Sequence, residues 1–191
     1  RLMQVVIIGY RSICDMACMK LSNAPQESAY RAVSFLAHKG YRNIAFIGED
    51  SILHKFAGYK RALNEYGLTI NPDNIILGVN SQDDGARGAS LLVGKGLKCD
   101  AIFVDTDRKA VGVIDYLTKR GFTVPADVGV MGYDGLDRFL EAPPYLTTVK
   151  LSHDLLLKQG LSILANHQGN NTMIDQLIEI PGKVIANKTT R

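Results

Sequence analysis

The arrangement of apolar residues constrains this chain more than any other feature of its sequence. Short apolar runs alternate with longer stretches in which apolar residues recur at helical spacing. Most of the runs are continuous and end at Gly, Pro, Asn or Asp, which is typical of strands buried on both faces of a parallel sheet. The predicted strands are Val5–Ile8, Met19–Leu21, Ile44–Ile47, Ile75–Val79, Ala101–Val104 and Val128–Met131.

Four helical stripes lie among and after these strands. They begin at Ala29, Phe56, Ala110 and Leu157. Asp107 precedes the third stripe and is predicted to cap the N-terminus of its helix. Strands that alternate with helices through short links predict a doubly wound α/β architecture with a parallel sheet.

The C-terminal part of the chain departs from this alternation. Two short apolar runs, Ile178–Ile180 and Val184–Ala186, flank Pro181. A proline between short runs is typical of edge strands, so we expect edge or crossover pieces here rather than another strand–helix unit.

Composition excludes several classes of protein. With 191 residues and 46% hydrophobic content, the chain can bury a core and form one or two domains. No apolar run approaches the roughly 18 residues of a membrane helix. The net charge of +3 is dispersed and leaves no nucleic-acid footprint. Cys14, Cys18 and Cys99 lack metal-site spacing, so we expect buried thiols, no metal and a reducing, cytoplasmic location.

Motifs of catalysis are missing from the sequence. It contains no GxSxG elbow, no Walker A loop and no HExxH pair. The turn after Ile44–Ile47 holds a single glycine, Gly48, so a dinucleotide fingerprint is not met. The sequence therefore predicts no cofactor and no enzyme, although a small α/β enzyme stays open as an alternative.

Residues that follow the predicted strands are the best candidates for a ligand site, because α/β sheets bind ligands beyond the carboxyl ends of their strands. Carboxylates, amides, hydroxyls and tyrosine rings at these positions suit a hydroxylated ligand. The positions include Tyr10, Asn23, Glu49, Asn80, Thr106, Asp107, Tyr133 and Asp134. Asp134 stands between small neighbours, and the local sequence alone fits a ligand contact and a helix cap equally well.

Five segments, in order along the chain, resemble conserved stretches of lactose/galactose-repressor-type (LacI/GalR) regulators. They are Ser28–Gly48, Ala57–Gly67, Ala101–Gly112, Val124–Asp134 and Pro144–Val149. The resemblance implies the effector-binding core of such a regulator, with a type I periplasmic-binding-protein fold. Two α/β subdomains would be joined by three crossovers, with the ligand in the cleft between them.

The resemblance also places the subdomains. An N-terminal subdomain would comprise 1–39 plus 152–172, and a C-terminal one 40–151 plus 173–191. The crossovers fall near Lys39–Arg42, Thr147–Leu151 and Thr172–Asp175. Because the family's core has further strand–helix units before the segment matching Met3–Ile8, the first subdomain is expected to be incomplete.

Six residues are implied as ligand contacts by their positions in the family pattern. They are Tyr10, Asn23, Lys55, Asn80, Thr106 and Asp134. Lys55 stands where the family has an arginine, which keeps the charge but loses the planar fork of donors. The loss of that fork favours an effector different from the usual sugar or carboxylate. Asn23 stands where the family usually has an aspartate.

The function implied is the sensing of a small polar effector, a sugar or sugar derivative, by a bacterial transcriptional regulator. Partners would be the effector, a second copy of the chain, and operator DNA through a headpiece absent from these residues. No membrane is expected. A periplasmic sugar-binding protein of a transporter is the alternative from another class.

Overall fold

A computed structural model of the chain describes residues 5–9, 18–50, 53–135, 145–166 and 176–191. The chain divides into two compact units. Unit 1 comprises Arg1–Pro25 and Leu151–Gly182, and unit 2 comprises Gln26–Lys150 and Lys183–Arg191. The subdomain boundaries expected from the family resemblance stay a prediction.

The described elements alternate as the sequence predicts. In chain order they are β1 (Val6–Ile8), β2 (Met19–Ser22), α1 (Pro25–His38), β3 (Ile44–Ile47), α2 (Leu53–Glu65), a 3₁₀ turn (Pro72–Asn74), β4 (Ile75–Ile76), α3 (Gln82–Gly94), β5 (Ala101–Val104), α4 (Asp107–Lys119), β6 (Gly129–Met131), β7 (Thr148–Lys150), α5 (His153–Asn166), β8 (Gln176–Glu179) and β9 (Lys183–Ile185). No helix in these ranges is long and apolar enough to cross a membrane.

Unit 1 contains a parallel sheet of three described strands in the order β1-β2-β8. Met19 and Leu21 of β2 pack with Leu156 of α5 to form its core. These strands carry fewer buried side chains than those of unit 2, and Leu177 of β8 is exposed.

Unit 2 is built on a parallel sheet with the order β4-β3-β5-β6. Every residue of β3, β5 and β6 is buried, which explains why their sequences are continuous apolar runs. Helices α3 and α4 pack on one another and on the core around Ile47, Ile102 and Val130. The remaining strands, β7 and β9, form an antiparallel pair. The doubly wound parallel-sheet prediction is therefore confirmed.

The two C-terminal strands join different units, as expected for edge and crossover pieces. β8 extends the parallel sheet of unit 1, whereas β9 pairs with β7 in unit 2. Val79 was expected in a strand, but β4 ends at Ile76. The chain turns there because Gly78 adopts φ +75°, and the Val79 N–H donates to the carbonyl of Gly48.

Helix α3 is absent from the sequence prediction. Its glycines and aspartates depress helix propensity, so the segment was not predicted as a helix. Tertiary packing needs those glycines: a Cβ on Gly85 would lie 2.3 Å from the carbonyl oxygen of Lys109, and one on Gly112 of α4 would lie 2.1 Å from that of Gln82. The small residues let α3 and α4 approach closely.

The cap of α4 corrects a second prediction. Asp107 was expected to be the N-cap, but Thr106 holds that place, and its hydroxyl accepts from the Lys109 N–H. Asp107 is instead the first helical residue, and its buried carboxylate accepts from the hydroxyl of Thr148. The carboxylate therefore joins α4 to β7, a contact that sequence spacing does not reveal.

Candidate functional site

Ionisable side chains gather at the carboxyl edge of the unit 2 sheet. Each follows a strand or lies in the first turns of the helix after it. The members are Glu49, Lys55, Asp105, Asp107, Lys109 and Asp134. Such a concentration of buried and half-buried charge at the ligand edge of an α/β sheet is the principal reason for placing the site here.

Lys109 is the most deeply buried lysine among the described residues that form ion pairs, with 3% of its side chain exposed. Its Nζ donates to Glu49 Oε1 and to Asp105 Oδ2, both at 3.0 Å. Asp105 is fully buried and also accepts from the Glu49 N–H. Burial raises the pKa of Asp105, although Lys109 and Lys55 oppose that rise. The three side chains form one charge network, in which Lys109 and Asp105 are buried and Glu49 is about one-third exposed.

Lys55 lies beside this network, in the first turn of α2. Its Nζ donates to the backbone carbonyl of Asp105 at 2.6 Å and lies 3.8 Å from the centroid of the Tyr133 ring. Burial lowers the pKa of Lys55, while the carboxylates of Asp134 and Asp105 act in the opposite direction. An ammonium has three N–H donors, and one of them has an acceptor in the described part of the chain.

Asp134 follows β6 and faces the same region. Burial raises the pKa of its carboxyl to about 7, and the nearby Lys55 ammonium limits that rise. The backbone has φ +117°, a conformation that side-chain-bearing residues rarely adopt and that recurs at ligand sites. It is held there because the Asp134 N–H donates to the carbonyl of Val149 at 3.0 Å.

Two glycines allow the chain to place Asp134 in this way. A Cβ on Gly132 would lie 2.3 Å from Asp107 Oδ1, and one on Gly135 would lie 2.6 Å from the Lys150 Cα. Gly135 also has φ +71°. The small neighbours of Asp134 therefore serve close backbone approach to α4 and β7.

Of the six predicted ligand contacts, the structure brings Lys55 and Asp134 together around Tyr133. Thr106 is half-buried at the start of α4, where its hydroxyl serves as the helix cap. Asn80 is exposed, and its N–H donates to Asp84 Oδ2. Asn23 is half-buried at the end of β2 in unit 1. Tyr10 lies outside the described residues.

Sequence reasoning did not single out Lys109 or Asp105. The available signal was their spacing: they are four residues apart across the start of α4, where an aspartate and a lysine are within reach of each other. Burial of the pair could not be foreseen from that spacing. In the described ranges no group of three or more His, Cys, Asp or Glu side chains has the geometry of a metal site. Cys18 and Cys99 are buried free thiols, as predicted, and Cys14 lies outside the described residues.

Comparison with known proteins identifies the family. The family model described as "Periplasmic binding protein-like domain" matches residues 33–190. The chain belongs to this family. Catabolite control protein A of Priestia megaterium is 31% identical over 171 residues, which are 87% of this chain and 52% of the relative. The HTH-type transcriptional repressor PurR of Histophilus somni is 27% identical over 166 residues, which are 85% of this chain and 50% of the relative.

Solved structures agree on the fold. A transcription regulator from Lactobacillus plantarum superposes with a TM-score of 0.85 at 23% identity, covering 98% of this chain and 72% of that one. A LacI family transcriptional regulator from Enterococcus faecium, solved with bound ribose, gives 0.80 at 19% identity, covering 98% and 70%. The periplasmic-binding-protein-like fold expected for this domain family is confirmed.

These comparisons also decide between the predicted classes of protein. The relatives are regulators, which confirms the LacI/GalR-type resemblance and favours it over a transporter's sugar-binding protein. They agree with the prediction that the domain is not an enzyme. The chain spans about half the length of the curated relatives it matches.

Proposed function

We propose that this domain senses a small polar effector for a LacI/GalR-type transcriptional regulator, and that Lys55 and Asp134 of unit 2 contact that effector. The observation that carries the proposal is the arrangement of these two side chains around the Tyr133 ring. Both side chains are half-buried. The Lys55 ammonium has N–H donors without an acceptor among the described residues, and no described residue donates a hydrogen bond to the Asp134 carboxylate. Groups of this kind recognise hydroxyl and other oxygen atoms of a ligand.

The class of effector that we propose is a sugar or sugar derivative. Support comes from the donor and acceptor chemistry of Lys55 and Asp134, and from a neighbour of the same fold that was solved with ribose. Tyr133 presents one face of its ring to Lys55. Tyr10, Asn23, Asn80 and Thr106 stay predicted contacts.

Binding is tested first by thermal unfolding of the 191-residue chain with D-ribose, D-ribose 5-phosphate and adenine, followed by calorimetry. A compound that binds the native state alone raises the unfolding temperature. We expect Asp134→Asn and Lys55→Met to weaken binding of an active compound by about tenfold or more, which corresponds to roughly 1.4 kcal/mol.

Lys95→Met is the matched control. Lys95 is an exposed lysine that pairs with Asp73 near the end of α3, and its replacement should leave affinity unchanged. Absence of binding across sugars, sugar phosphates and nucleobases, or wild-type affinity in both site variants, would refute the proposal.

For the whole regulator we propose a cytoplasmic homodimer that binds operator DNA through a part of the protein outside these residues. Effector binding would then change operator affinity, and operator binding would change effector affinity by the same factor. Sedimentation of the full-length protein with and without operator DNA tests the dimer. A monomeric protein, or an operator affinity independent of effector, would contradict this scheme.

A further inference from the structure

The buried ion pair between Lys109 and Asp105 has no part in the function proposed above. Neither side chain is more than 3% exposed. Burying two charges costs desolvation, and apolar residues of similar size often stabilise a protein as well or better. Stability alone is therefore a weak reason for this pair, and its position beside Lys55 indicates another role.

Asp105 contacts both lysines, but with different groups. Its carboxylate accepts a hydrogen bond from the ammonium of Lys109, whereas its backbone carbonyl accepts one from the ammonium of Lys55 at 2.6 Å. In the described residues Lys55 forms no ion pair with a carboxylate, although Asp105, Asp134 and Glu49 all attract it. Lys109 is the cation that engages the Asp105 carboxylate in its place.

We propose that Lys109 is a positioning residue for the ligand site: by neutralising Asp105, it keeps the Lys55 ammonium on the backbone carbonyl and the Tyr133 ring, available to the effector. The inference rests on the proposed function, in which Lys55 contacts that effector. Lys109 itself is too buried to be offered as a ligand contact.

One carboxylate oxygen of Asp105 could accept a hydrogen bond from Lys55. Its buried Oδ1 lies 3.0 Å from Lys109 Nζ, yet no described donor forms a well-directed hydrogen bond with it. Without Lys109, Lys55 becomes the nearest available cation for this buried carboxylate. An ammonium captured in a buried ion pair offers fewer donors to a ligand and must be pulled out of that pair on binding.

The charges around Lys55 support this division of labour. Burial is the largest influence on the pKa of Lys55 and lowers it, and the charge of Lys109 lowers it further. The carboxylates of Asp134, Asp105 and Glu49 raise it. Replacing Lys109 by a neutral residue removes one lowering influence and releases the Asp105 carboxylate. Both changes raise the pKa of Lys55, so the titration of Lys55 reports on the role of Lys109 without any ligand.

The experiment compares Lys109→Met, Asp105→Asn and the double variant Asp105→Asn/Lys109→Met with the wild-type 191-residue chain. Lys55 is titrated by NMR of chains with ¹³C-labelled lysine, and its signal is assigned with Lys55→Arg. Affinity is measured by calorimetry for whichever of D-ribose, D-ribose 5-phosphate and adenine binds the wild type. Circular dichroism confirms that each variant is folded, and Lys109→Gln replaces Lys109→Met if the latter is not.

We expect Lys109→Met to raise the pKa of Lys55 and to weaken binding by about tenfold or more. The double variant should restore affinity to within about threefold of wild type, because an uncharged amide at position 105 no longer captures Lys55. Asp105→Asn alone should lower the pKa of Lys55, because it removes a carboxylate that raises that pKa. A purely structural role for Lys109 would not be rescued in this way.

Unchanged Lys55 titration and affinity in Lys109→Met would overturn the proposal. A double variant that binds as weakly as Lys109→Met would also overturn it. That result would mean that binding needs the charge of Lys109 even when Asp105 carries none. If the wild type binds none of the three compounds, that result contradicts the proposed function and not the role of Lys109. The Lys55 titration then still decides whether Lys109 controls Lys55.

Discussion

The ammonium of Lys55 lies 3.8 Å from the centroid of the Tyr133 ring, which joins helix α2 to the end of strand β6. The face of an aromatic ring is negative and partly replaces the water that a buried ammonium loses. Tyr133 is 2% exposed, and its ring also contacts Phe103 of β5 edge-to-face. The core of unit 2 therefore fixes the ring on which Lys55 rests.

Tyr133→Leu should lower the free energy of unfolding by about 2–4 kcal/mol, because it removes a buried ring together with its cation contact. Tyr133→Phe keeps the ring and should lose less than half of that amount. Urea denaturation monitored by circular dichroism measures both. Equal losses in the two variants would mean that the hydroxyl, rather than the ring, is the important group.

Gly135→Ala should destabilise the chain by about 3 kcal/mol, since it combines an unfavourable φ with a steric clash. The added Cβ would meet the Lys150 Cα at 2.6 Å. Gly121→Ala is the matched control, because its φ is also positive, at +87°, but no described atom lies within 4 Å of its Cβ. We expect a loss of about 1 kcal/mol there. Similar losses at both positions would argue against close approach of β7.

The pKa of Asp134, raised by burial to about 7 from 3.8, predicts a pH dependence of stability. Between these two values the folded chain holds the proton more tightly than the unfolded chain, so this carboxyl lowers stability as pH rises and adds no further change above pH 7. Asp134→Asn removes that penalty. The free energy of unfolding of the variant, relative to wild type, should therefore increase from about pH 4 to about pH 7.

Glu27→Gln provides a control of opposite sign. Burial raises the pKa of Glu27, but hydrogen bonds from Arg61 and Arg31 outweigh it and lower the pKa overall. Its contribution to stability is present at neutral pH and is lost as pH falls. The relative stability of this variant should therefore decrease as pH rises through the acid range. The same trend in both variants would contradict the assignment for Asp134.

Ser81→Ala should destabilise unit 2 by about 1 kcal/mol through loss of the N-cap of α3. The Ser81 hydroxyl accepts from the Asp84 N–H at 3.1 Å, and the Asp84 carboxylate accepts from the Ser81 N–H at 3.1 Å. Ser81→Thr retains the accepting hydroxyl and should stay within about 0.5 kcal/mol of wild type. Thermal unfolding distinguishes the two, and equal stability of the Ala and Thr variants would exclude a capping role.

Local patterns were sufficient for much of the fold. The continuous apolar runs of β3 and β5 identified both strands with their observed bounds, because residues buried on two faces must be apolar throughout. The ordered series of family segments identified the domain, and the position of Asp134 after β6 led to the ligand site proposed at that edge of the sheet. These conclusions depend on residues that are close in sequence.

Tertiary structure decided the rest. Helix α3 exists although its glycines lower its helix propensity, because Gly85 lets it pack closely against α4. Thr106 rather than Asp107 caps α4, and the Asp107 carboxylate accepts a hydrogen bond from Thr148, which is 41 residues away. Lys109 meets Glu49 across 60 residues. Buried polar groups take their partners from strands and helices that only folding brings together, so a single sequence shows which residues are polar without showing which of them are paired.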